Sequence, residues 1–429
     1  MSKLLTWIDD RFPLTALWES QWGKYVAPKN FNFWYYFGSL AAFVLVIQIV
    51  TGIFLTMNYK PDAAKAFESV EYIMRDVPAG WLIRYMHSTG ASMFFIVVYL
   101  HMFRALLYGS FRKPRELTWI FGVLLYLTLM AEAFFGYLLP WGQMSYWGAQ
   151  VIVNLFSTVP IIGEDLALWI RGDYTVSDIT LNRFFAFHVI AIPLVLLGLV
   201  GAHLLALHET GSNNPDGIEI KQQPKDPRTG LPLDGIYSHP YYTIKDIVGV
   251  IFFLIVFSIV VFFVPEMGGY FLEYNNFIPA DPLKTPEHIA PVWYFTPFYA
   301  MLRAVPSEIL PFLPATQFYG VLVMGAAVLI LFALPWLDRS PVRSIRYRGM
   351  RYKAWLAAFV VSFLVLGYLG VVPVTVWGQF PAKIPLLGTA DVATVVARIF
   401  TVVYFLFFLL MPWYTARDKT LPVPERVKW

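Results

Sequence analysis

The chain has no cysteine and little charge, since only 14% of its 429 residues are Asp, Glu, Lys or Arg. Without cysteine, the chain cannot form disulfides or hold metals and iron–sulfur clusters through thiolates. A soluble domain carries about 25% charged residues, so this chain has too little charge for a water-facing surface. Hydrophobic residues make up 58% of the sequence, and the net charge is only +4. The composition therefore predicts an integral membrane protein and gives no reason to expect nucleic acid as a partner.

Long apolar runs predict an all-α membrane fold with eight transmembrane helices, because each run can cross about 30 Å of hydrocarbon. The predicted spans are residues 34–57, 83–107, 117–140, 182–207, 247–265, 317–337, 354–376 and 392–414. We expect the first four to form a four-helix bundle. The predicted domains are an N-terminal unit (1–210), a linker (211–246) and a C-terminal unit (247–429) that contains a long loop at 266–316.

Basic residues mark one face of the protein, which we call the inner side. Arg112, Lys113 and Arg115 lie between spans two and three, and residues 339–353, between spans six and seven, contain six basic residues and no acid. The positive-inside rule assigns this side and both termini to the cytoplasm. Residues 1–25 contain acids and aromatics but no apolar core, so no signal peptide is expected. These features favour a multi-pass protein of a bacterial inner membrane.

Four of the seven histidines lie in two predicted spans. His87 and His101 are 14 residues apart in span two, and His188 and His203 are 15 apart in span four. At 1.5 Å per residue, each interval corresponds to about 21–22 Å along its helix. Both spans run inward, so His87 and His188 share the outer level and His101 and His203 the inner level. One such histidine is more often a packing residue or a proton relay, but four at matched depths predict two b-type hemes, each held by two histidines.

Glycines repeat this interval on the neighbouring spans. Gly38 and Gly52 in span one are 14 residues apart, and so are Gly122 and Gly136 in span three. Ordinary glycine-mediated packing would not predict the same interval twice, whereas a macrocycle wedged into a bundle needs missing side chains beside it. Three arginines near the two levels are candidates to pair with heme propionates, although each could equally anchor the end of a span: Arg84, Arg183 and Arg104.

Six stretches resemble the cytochrome b family of ubiquinol–cytochrome c oxidoreductase complexes, and the resemblance covers essentially the whole chain. They are NFWYYFGS (32–39), RYMHSTGASMFF (84–95), GYLLPWGQMSYWGA (136–149), RFFAFH (183–188), LHETGSNNPDG (207–217) and HPYYTIKDI (239–247). The resemblance implies a low-potential outer heme, a high-potential inner heme and two quinone sites. It also implies several partners, namely a Rieske iron–sulfur protein, a cytochrome c1 subunit, a second copy of this chain and membrane lipid.

Two features refine the resemblance. Photosynthetic relatives split this region between two polypeptides, whereas here one chain holds both halves, which favours the respiratory type. The interval between His188 and His203 is one residue longer than in mitochondrial relatives. We therefore expect a local adjustment of that helix.

The resemblance implies an inner quinone site built from His208, Ser212, Lys245, Asp246 and Ser39. His208 and Asp246 can face the two quinone oxygens and supply protons as electrons arrive. Without the resemblance, both would more often be solvated residues at helix ends. Ser110 and Trp119 complete the residues assigned to cofactor binding.

The implied outer quinone site departs from the family's commonest pattern. Its residues are Phe134, Tyr137, Gly142, Met144, Trp293, Tyr294 and Tyr299. Residues 291–294 read Pro-Val-Trp-Tyr, where the commonest pattern reads Pro-Glu-Trp-Tyr. That glutamate is generally assigned to accepting a hydrogen bond or a proton from quinol, and Val292 can do neither.

Two acids are candidates for the missing proton acceptor. Glu132 lies in the middle of span three and is favoured, because a buried acid is costly without a task. Glu287 lies five residues before Val292 in a loop, where an acid is more often simply solvated. Water, or the histidine of the iron–sulfur partner alone, is the remaining alternative.

The implied activity is quinol–cytochrome c reduction, in which quinol gives one electron to the iron–sulfur protein and the other to the outer heme. The second electron crosses to the inner side, and protons are released outside and taken up inside.

Two other classes of membrane protein compete with this interpretation. A quinone-reactive di-heme anchor of a dehydrogenase usually has four or five spans and would not need the long outer loops. A transporter would use intramembrane His and Glu as a proton relay, but it tends to contain inverted repeats and broken helices, which the sequence does not indicate.

Overall fold

The computed structural model describes residues 2–306, 316–379 and 391–428. Within these ranges, eight helices are long and apolar enough to cross a membrane, as predicted. We number them span 1 to span 8: Phe33–Thr56, Gly80–Tyr108, Glu116–Leu138, Asp178–Thr210, Tyr241–Phe263, Phe318–Leu337, Met350–Val371 and Val392–Leu409. The last part of the predicted loop 266–316, residues 307–315, lies outside the described residues.

Shorter α-helices lie before, between and after the spans. The described helices are Lys3–Asp9, Leu14–Trp18, Ala66–Arg75, Gln143–Ser157, Gly163–Arg171, Thr296–Ala304 and Met411–Ala416. Among the described residues, one two-stranded sheet pairs strand Val26–Pro28 antiparallel with strand Gly235–Tyr237. This pairing attaches the segment before span 1 to the linker before span 5.

Large apolar side chains cover the outward faces of several spans. Leu194, Leu197 and Leu205 of span 4 are exposed, and so are Phe252 and Ile255 of span 5. Several large apolar side chains exposed along the same helix are uncommon on soluble proteins, but they suit a surface that contacts lipid. The chain is therefore a multi-pass membrane protein.

The first four spans form two packed pairs. Span 1 packs against span 2, and span 3 packs against span 4. Ring contacts between histidines of spans 2 and 4 join the two pairs into one bundle. Helix Thr296–Ala304 packs against spans 6, 7 and 8 in the second half of the protein. One continuous cluster of buried residues joins the two halves, with Phe95 of span 2 against Tyr294 as one contact.

Span 4 contains the helix adjustment that its longer histidine interval predicts. Residues Phe187–Ala191 form a π-helical turn that includes His188, followed by regular helix over Ile192–Thr210. A single π turn accommodates one extra residue within an α-helix and is frequent at functional sites. Pro193, which has no backbone N–H to donate, follows directly. The expected adjustment is thereby confirmed, and it occurs at the outer histidine.

Ion pairs hold the inner connections together. Arg115 pairs with both carboxylate oxygens of Glu219 at 2.6 and 2.8 Å, and Arg343 pairs with the same carboxylate. The buried Asp216 accepts hydrogen bonds from Arg346 at 3.0 Å and from Tyr347 at 2.7 Å. The linker is thus packed against the basic connection between spans 6 and 7.

Candidate functional site

The four membrane histidines form two facing pairs. The rings of His87 and His188 have their centroids 6.0 Å apart and are nearly perpendicular, at 88°. The rings of His101 and His203 have their centroids 6.4 Å apart, at 59°. Two imidazoles that bind one iron from opposite sides, with Fe–N bonds of about 2 Å, hold their centroids roughly 6 Å apart. Both pairs therefore fit a heme iron between them.

Hydrogen bonds orient the outer pair. Nδ1 of His87 lies 2.9 Å from Thr51 Oγ1, and Nδ1 of His188 lies 3.0 Å from the backbone oxygen of Glu132. A ring whose Nδ1–H donates to such an acceptor presents Nε2 as its ligand atom. The chain thus supplies two facing imidazoles at this level and the contacts that orient them.

Each of the four predicted glycines lies opposite one of these histidines. A methyl group on Gly38 would lie 3.1 Å from Cε1 of His101, on Gly52 3.3 Å from Cε1 of His87, and on Gly122 3.4 Å from Cε1 of His203. At Gly136 the space is smallest, because a methyl group would lie 2.7 Å from Nδ1 of His188. Spans 1 and 3 therefore repeat the histidine interval because they contact the histidine rings.

The predicted propionate partners have different surroundings. Arg104 donates to Ser110 Oγ at 3.3 Å and lies 5.0 Å from the ring centroid of Tyr35. Its Nε is buried and has no hydrogen-bond partner among the described residues, which suits an anionic group such as a propionate. Arg183 donates to the backbone oxygen of Trp169 at 2.6 Å.

Three further residues of the predicted heme surroundings can be described. Arg84 is half-buried; its backbone oxygen accepts a hydrogen bond from Ser88 Oγ at 3.1 Å, and its guanidinium group makes no hydrogen bond or ion pair with the described residues. Ser110 also accepts a hydrogen bond from Asn213 Nδ2 at 3.2 Å. Trp119 is buried and donates its indole N–H to the backbone oxygen of Leu331 at 2.7 Å, so this donor is already used.

The predicted inner quinone residues form two groups. In one, Ser39 Oγ donates to Asp246 Oδ1 at 3.2 Å, and the neighbouring Lys245 lies over the ring of Tyr241. In the other, Tyr25 stacks on His208 with the ring centroids 4.5 Å apart, and its hydroxyl lies 3.0 Å from Ser212 Oγ. No hydrogen bond among the described residues joins the two groups.

Two residues that contact the predicted inner quinone residues were missed by sequence reasoning. Tyr25 joins His208 to Ser212, and Oε1 of Gln21 lies 2.8 Å from Nδ1 of His208. The segment before span 1 was interpreted only as lacking a signal peptide. Its dense aromatic content was the available signal, since such residues favour a membrane interface close to the span ends.

The predicted outer quinone residues lie where two outer loops meet. Gln143 N donates to the backbone oxygen of Ile278 at 2.9 Å, and Ser145 N donates to Asn276 Oδ1 at 2.9 Å. Gly142 has no side chain where Asn276 packs, and Met144 is buried beside it. Phe134 lies edge-on to Phe184, with the ring centroids 5.4 Å apart. The segments around residues 142 and 276 are therefore fixed against each other.

Residues 291–294 lie between the two halves of the chain. Trp293 donates its indole N–H to Ser92 Oγ at 3.0 Å, and the ring of Tyr294 stacks on Phe95 with the centroids 3.9 Å apart. Val292 is only 3% exposed. Further along, Tyr299 donates to the backbone oxygen of Ile289 at 3.4 Å. The position that usually carries the family's glutamate is therefore buried and apolar.

The acids near this region have distinct environments. Glu132 directs Oε1 to Nδ1 of His188 at 3.0 Å, and its other oxygen is buried without a partner among the described residues. Glu287 is exposed. Glu273, which sequence reasoning missed, accepts a hydrogen bond from the Tyr137 hydroxyl at 2.7 Å, and burial raises its pKa to about 7. No local pattern identifies Glu273, because its partner is 136 positions away.

Two family models match this chain. The model described as cytochrome b/b6/petB matches residues 22–211, and the model described as cytochrome b (C-terminal)/b6/petD matches residues 279–405. Together they cover both the histidine bundle and the segment 291–294. The match agrees with the family that the sequence motifs indicated.

Individual relatives give the same result. Cytochrome b of Allochromatium vinosum is 63% identical over 425 residues, covering 99% of this chain and 98% of that protein. Cytochrome b/c1 of Bradyrhizobium diazoefficiens is 42% identical, covering 99% of this chain and 56% of that protein. A solved structure described as hyperthermophilic respiratory Complex III has a TM-score of 0.82 and 38% identity, covering 96% of this chain and 98% of that one. The expected family and the expected all-α membrane fold are confirmed.

Proposed function

Since the chain belongs to the cytochrome b family of respiratory complex III, we propose that it is the di-heme subunit that oxidises quinol at the outer site and reduces quinone at the inner site. In this proposal the reaction is coupled to proton translocation across a bacterial inner membrane, with both termini in the cytoplasm. The hemes, when bound, supply one-electron transfer between the two sides of the membrane. The observation that carries the proposal is the pair of facing histidine sites, each with a glycine opposite every ring.

The chain's own residues would hold the two hemes. His87 and His188 are the proposed ligands of the outer heme, and His101 and His203 those of the inner heme. Arg104 has a buried, unpartnered donor next to the inner pair and is the best supported propionate partner. Arg84 and Arg183 are proposed for the same task at the outer level.

At the inner site, Asp246 and His208 would deliver protons to the reduced quinone. Ser39 holds the Asp246 carboxylate through its hydrogen bond, and Tyr25 holds the His208 ring by stacking. Asp246 and His208 both lie near the ends of their spans next to the inner side, where protons can enter from water. Lys245 and Ser212 are proposed as further contacts of the quinone.

The proposed partners are a Rieske iron–sulfur protein, a cytochrome c1 subunit and a second copy of this chain. The name of the Bradyrhizobium relative joins cytochrome b with c1, and this chain corresponds to 56% of its length. A chain without cysteine offers no thiolates for an iron–sulfur cluster, and we therefore propose the Rieske iron–sulfur protein as the acceptor of the first quinol electron.

The proposal is tested on the complex purified through a tag on this chain. Adding quinol should reduce b-type heme and, through the complex, an added c-type cytochrome. A quinol-dependent rate that disappears in the His188→Asn variant would support the proposal. A purified complex that contains no heme, or one that quinol does not reduce, would contradict it.

Replacing Glu132 with Gln separates two roles for this acid. If Glu132 accepts the quinol proton, as the sequence predicts, E132Q should slow quinol oxidation strongly and leave both heme spectra normal. If it acts through its contact with His188, E132Q should raise the midpoint potential of the outer heme, because a nearby carboxylate stabilises the more positive ferric form. A potentiometric titration of the outer heme together with the turnover rate distinguishes these outcomes.

A further inference from the structure

We infer that Glu273 accepts the quinol proton that Val292 cannot accept, with Tyr137 between the quinol and the carboxylate. The inference rests on the proposed function, since it concerns the outer quinone site. Three observations carry it: the hydrogen bond between Tyr137 and Glu273, the position of Glu273 among the predicted quinone residues, and the different engagement of the other two acids.

The Tyr137 hydroxyl donates to Glu273 Oε2 at 2.7 Å. Tyr137 lies in the last turn of span 3, and Glu273 lies in the loop that follows span 5. A hydroxyl that donates to a carboxylate keeps its oxygen lone pairs available to accept from another donor, such as a quinol hydroxyl. The pair therefore forms a short path from a hydroxyl donor to a carboxylate.

The loop that carries Glu273 is fixed on both sides. The backbone oxygen of Glu273 accepts from Asn276 N at 2.9 Å, and Asn276 in turn accepts from Ser145 N through its side chain. Two residues before Glu273, the ring of Phe271 stacks on Trp293, with the centroids 6.2 Å apart. Glu273 is thus fixed between the segment around residue 142 and the segment 291–294, which are the two halves of the predicted quinone site.

The other acids are less suited to the same task. The Glu132 carboxylate is directed to the Nδ1 atom of His188, and Glu287 is exposed. Glu273 is half-buried and titrates near neutral pH, because burial raises its pKa to about 7. An acceptor with such a pKa can take a proton and release it again at neutral pH.

Quinol loses two electrons and two protons; one electron goes to the iron–sulfur protein and the other to the outer b-type heme. One proton leaves with the first electron toward the iron–sulfur protein. For the other proton, the quinol O–H bond breaks and a new bond forms to Tyr137 Oη. The original hydroxyl proton of Tyr137 moves to Glu273, which later releases it to the outer side.

The main test compares Glu273→Gln with Glu164→Gln. Glutamine can still accept the Tyr137 hydrogen bond through its amide oxygen but cannot take up the proton. Quinol oxidation in E273Q should therefore slow by about a hundredfold with both heme spectra unchanged. Glu164 is an exposed outer-side acid that takes part in none of these contacts, so E164Q should keep the wild-type rate.

The pH profile provides a second measurement. Two titratable side chains among the described residues face Glu273, Tyr137 from span 3 and Tyr294 from the segment 291–294. A tyrosine hydroxyl is neutral near pH 7. The accepting form of Glu273 is the carboxylate, whose population grows as the pH rises through the pKa. In the wild type, kcat/KM for quinol should therefore rise with pH through about 7 and level off above it. E273Q should lack this rise.

Infrared spectroscopy gives a measurement that does not depend on turnover. The reduced-minus-oxidised infrared difference spectrum of the complex with quinone should contain a carboxylic acid band that is absent from E273Q and retained in E164Q. Restoring the usual glutamate with Val292→Glu in the E273Q background should recover part of the lost rate. If the double variant loses its hemes because residue 292 is buried, the pH profile and the infrared band decide.

The outcomes separate this inference from the proposed function. Wild-type turnover in E273Q, or a slow E273Q that keeps both the pH-dependent rise and the carboxylic acid band, would overturn the role of Glu273 and leave the proposed function standing. A wild-type complex that does not oxidise quinol would overturn both. A slow E273Q without the rise and without the band supports the inference.

Discussion

Replacing His188 with Asn is expected to remove the outer heme from the purified protein and to abolish quinol oxidation, while the inner heme remains. His188 faces His87 at a ring separation of 6.0 Å, and without His188 only one of the two imidazoles that would hold the outer heme remains. The reduced-minus-oxidised spectrum should therefore contain one b-type heme instead of two. The same change at His203 should remove the inner heme instead.

The control for this prediction is His239→Asn. His239 lies at the inner surface, exposed, with Nδ1 3.2 Å from Thr243 Oγ1, and faces no second histidine. H239N should keep both hemes. An H188N protein with two hemes of unchanged spectrum would show that His188 is not a ligand.

Replacing Gly136 with Ala is expected to lower occupancy of the outer heme site severely. A methyl group at residue 136 would lie 2.7 Å from Nδ1 of His188, so the imidazole must leave its position. In a helix interior, alanine is more favourable than glycine by about 1 kcal/mol, so any loss comes from the contact and not from the helix. The heme content and the melting temperature of the purified protein check the prediction.

Two other glycine-to-alanine variants serve as comparisons for the heme occupancy of G136A. A methyl group at Gly198 of span 4 would meet nothing within 4 Å, so G198A should behave like the wild type. A methyl group at Gly122 would lie 3.4 Å from His203, a contact that a small shift relieves, so G122A should have a mild effect on the inner heme. Normal occupancy of the outer heme in G136A would contradict the close packing of glycine against the ligand.

The sequence was sufficient to predict the number of spans but not all of their ends. Span 7 ends at Val371 and not at residue 376, because Pro373 cannot continue the helix. Span 4 begins at Asp178, four residues before its predicted start, because Thr180 Oγ1 accepts a hydrogen bond from the backbone N–H of Ser177 at 3.0 Å and so closes the first turn. Apolar content indicates where a chain can cross a membrane, whereas caps and prolines decide where its helix stops.

The two facing histidine pairs could be predicted because the information for each pair is local to its helices. A 14- or 15-residue interval fixes both depth and face, and it recurs on spans 1 and 3. The contacts around the proposed quinone sites could not be predicted in this way. Gln21 contacts His208, and Glu273 contacts Tyr137, although the residues of each pair are more than a hundred positions apart in the sequence. Only the folded loops bring them together.

The two alternative classes are not supported by the fold. The eight spans of the described residues, with their long outer connections, exceed what a di-heme anchor of a dehydrogenase needs. A transporter would not require a glycine opposite every membrane histidine ring. The family match over both halves of the chain agrees with these physical arguments.

The central claim is that this chain holds two hemes, each between a histidine of span 2 and a histidine of span 4. The most direct measurement is a potentiometric titration of the purified wild-type protein, followed by its b-type heme absorbance and related to the protein concentration. The account predicts two b-type hemes per chain that titrate at two different midpoint potentials. One heme per chain, or none, would contradict it.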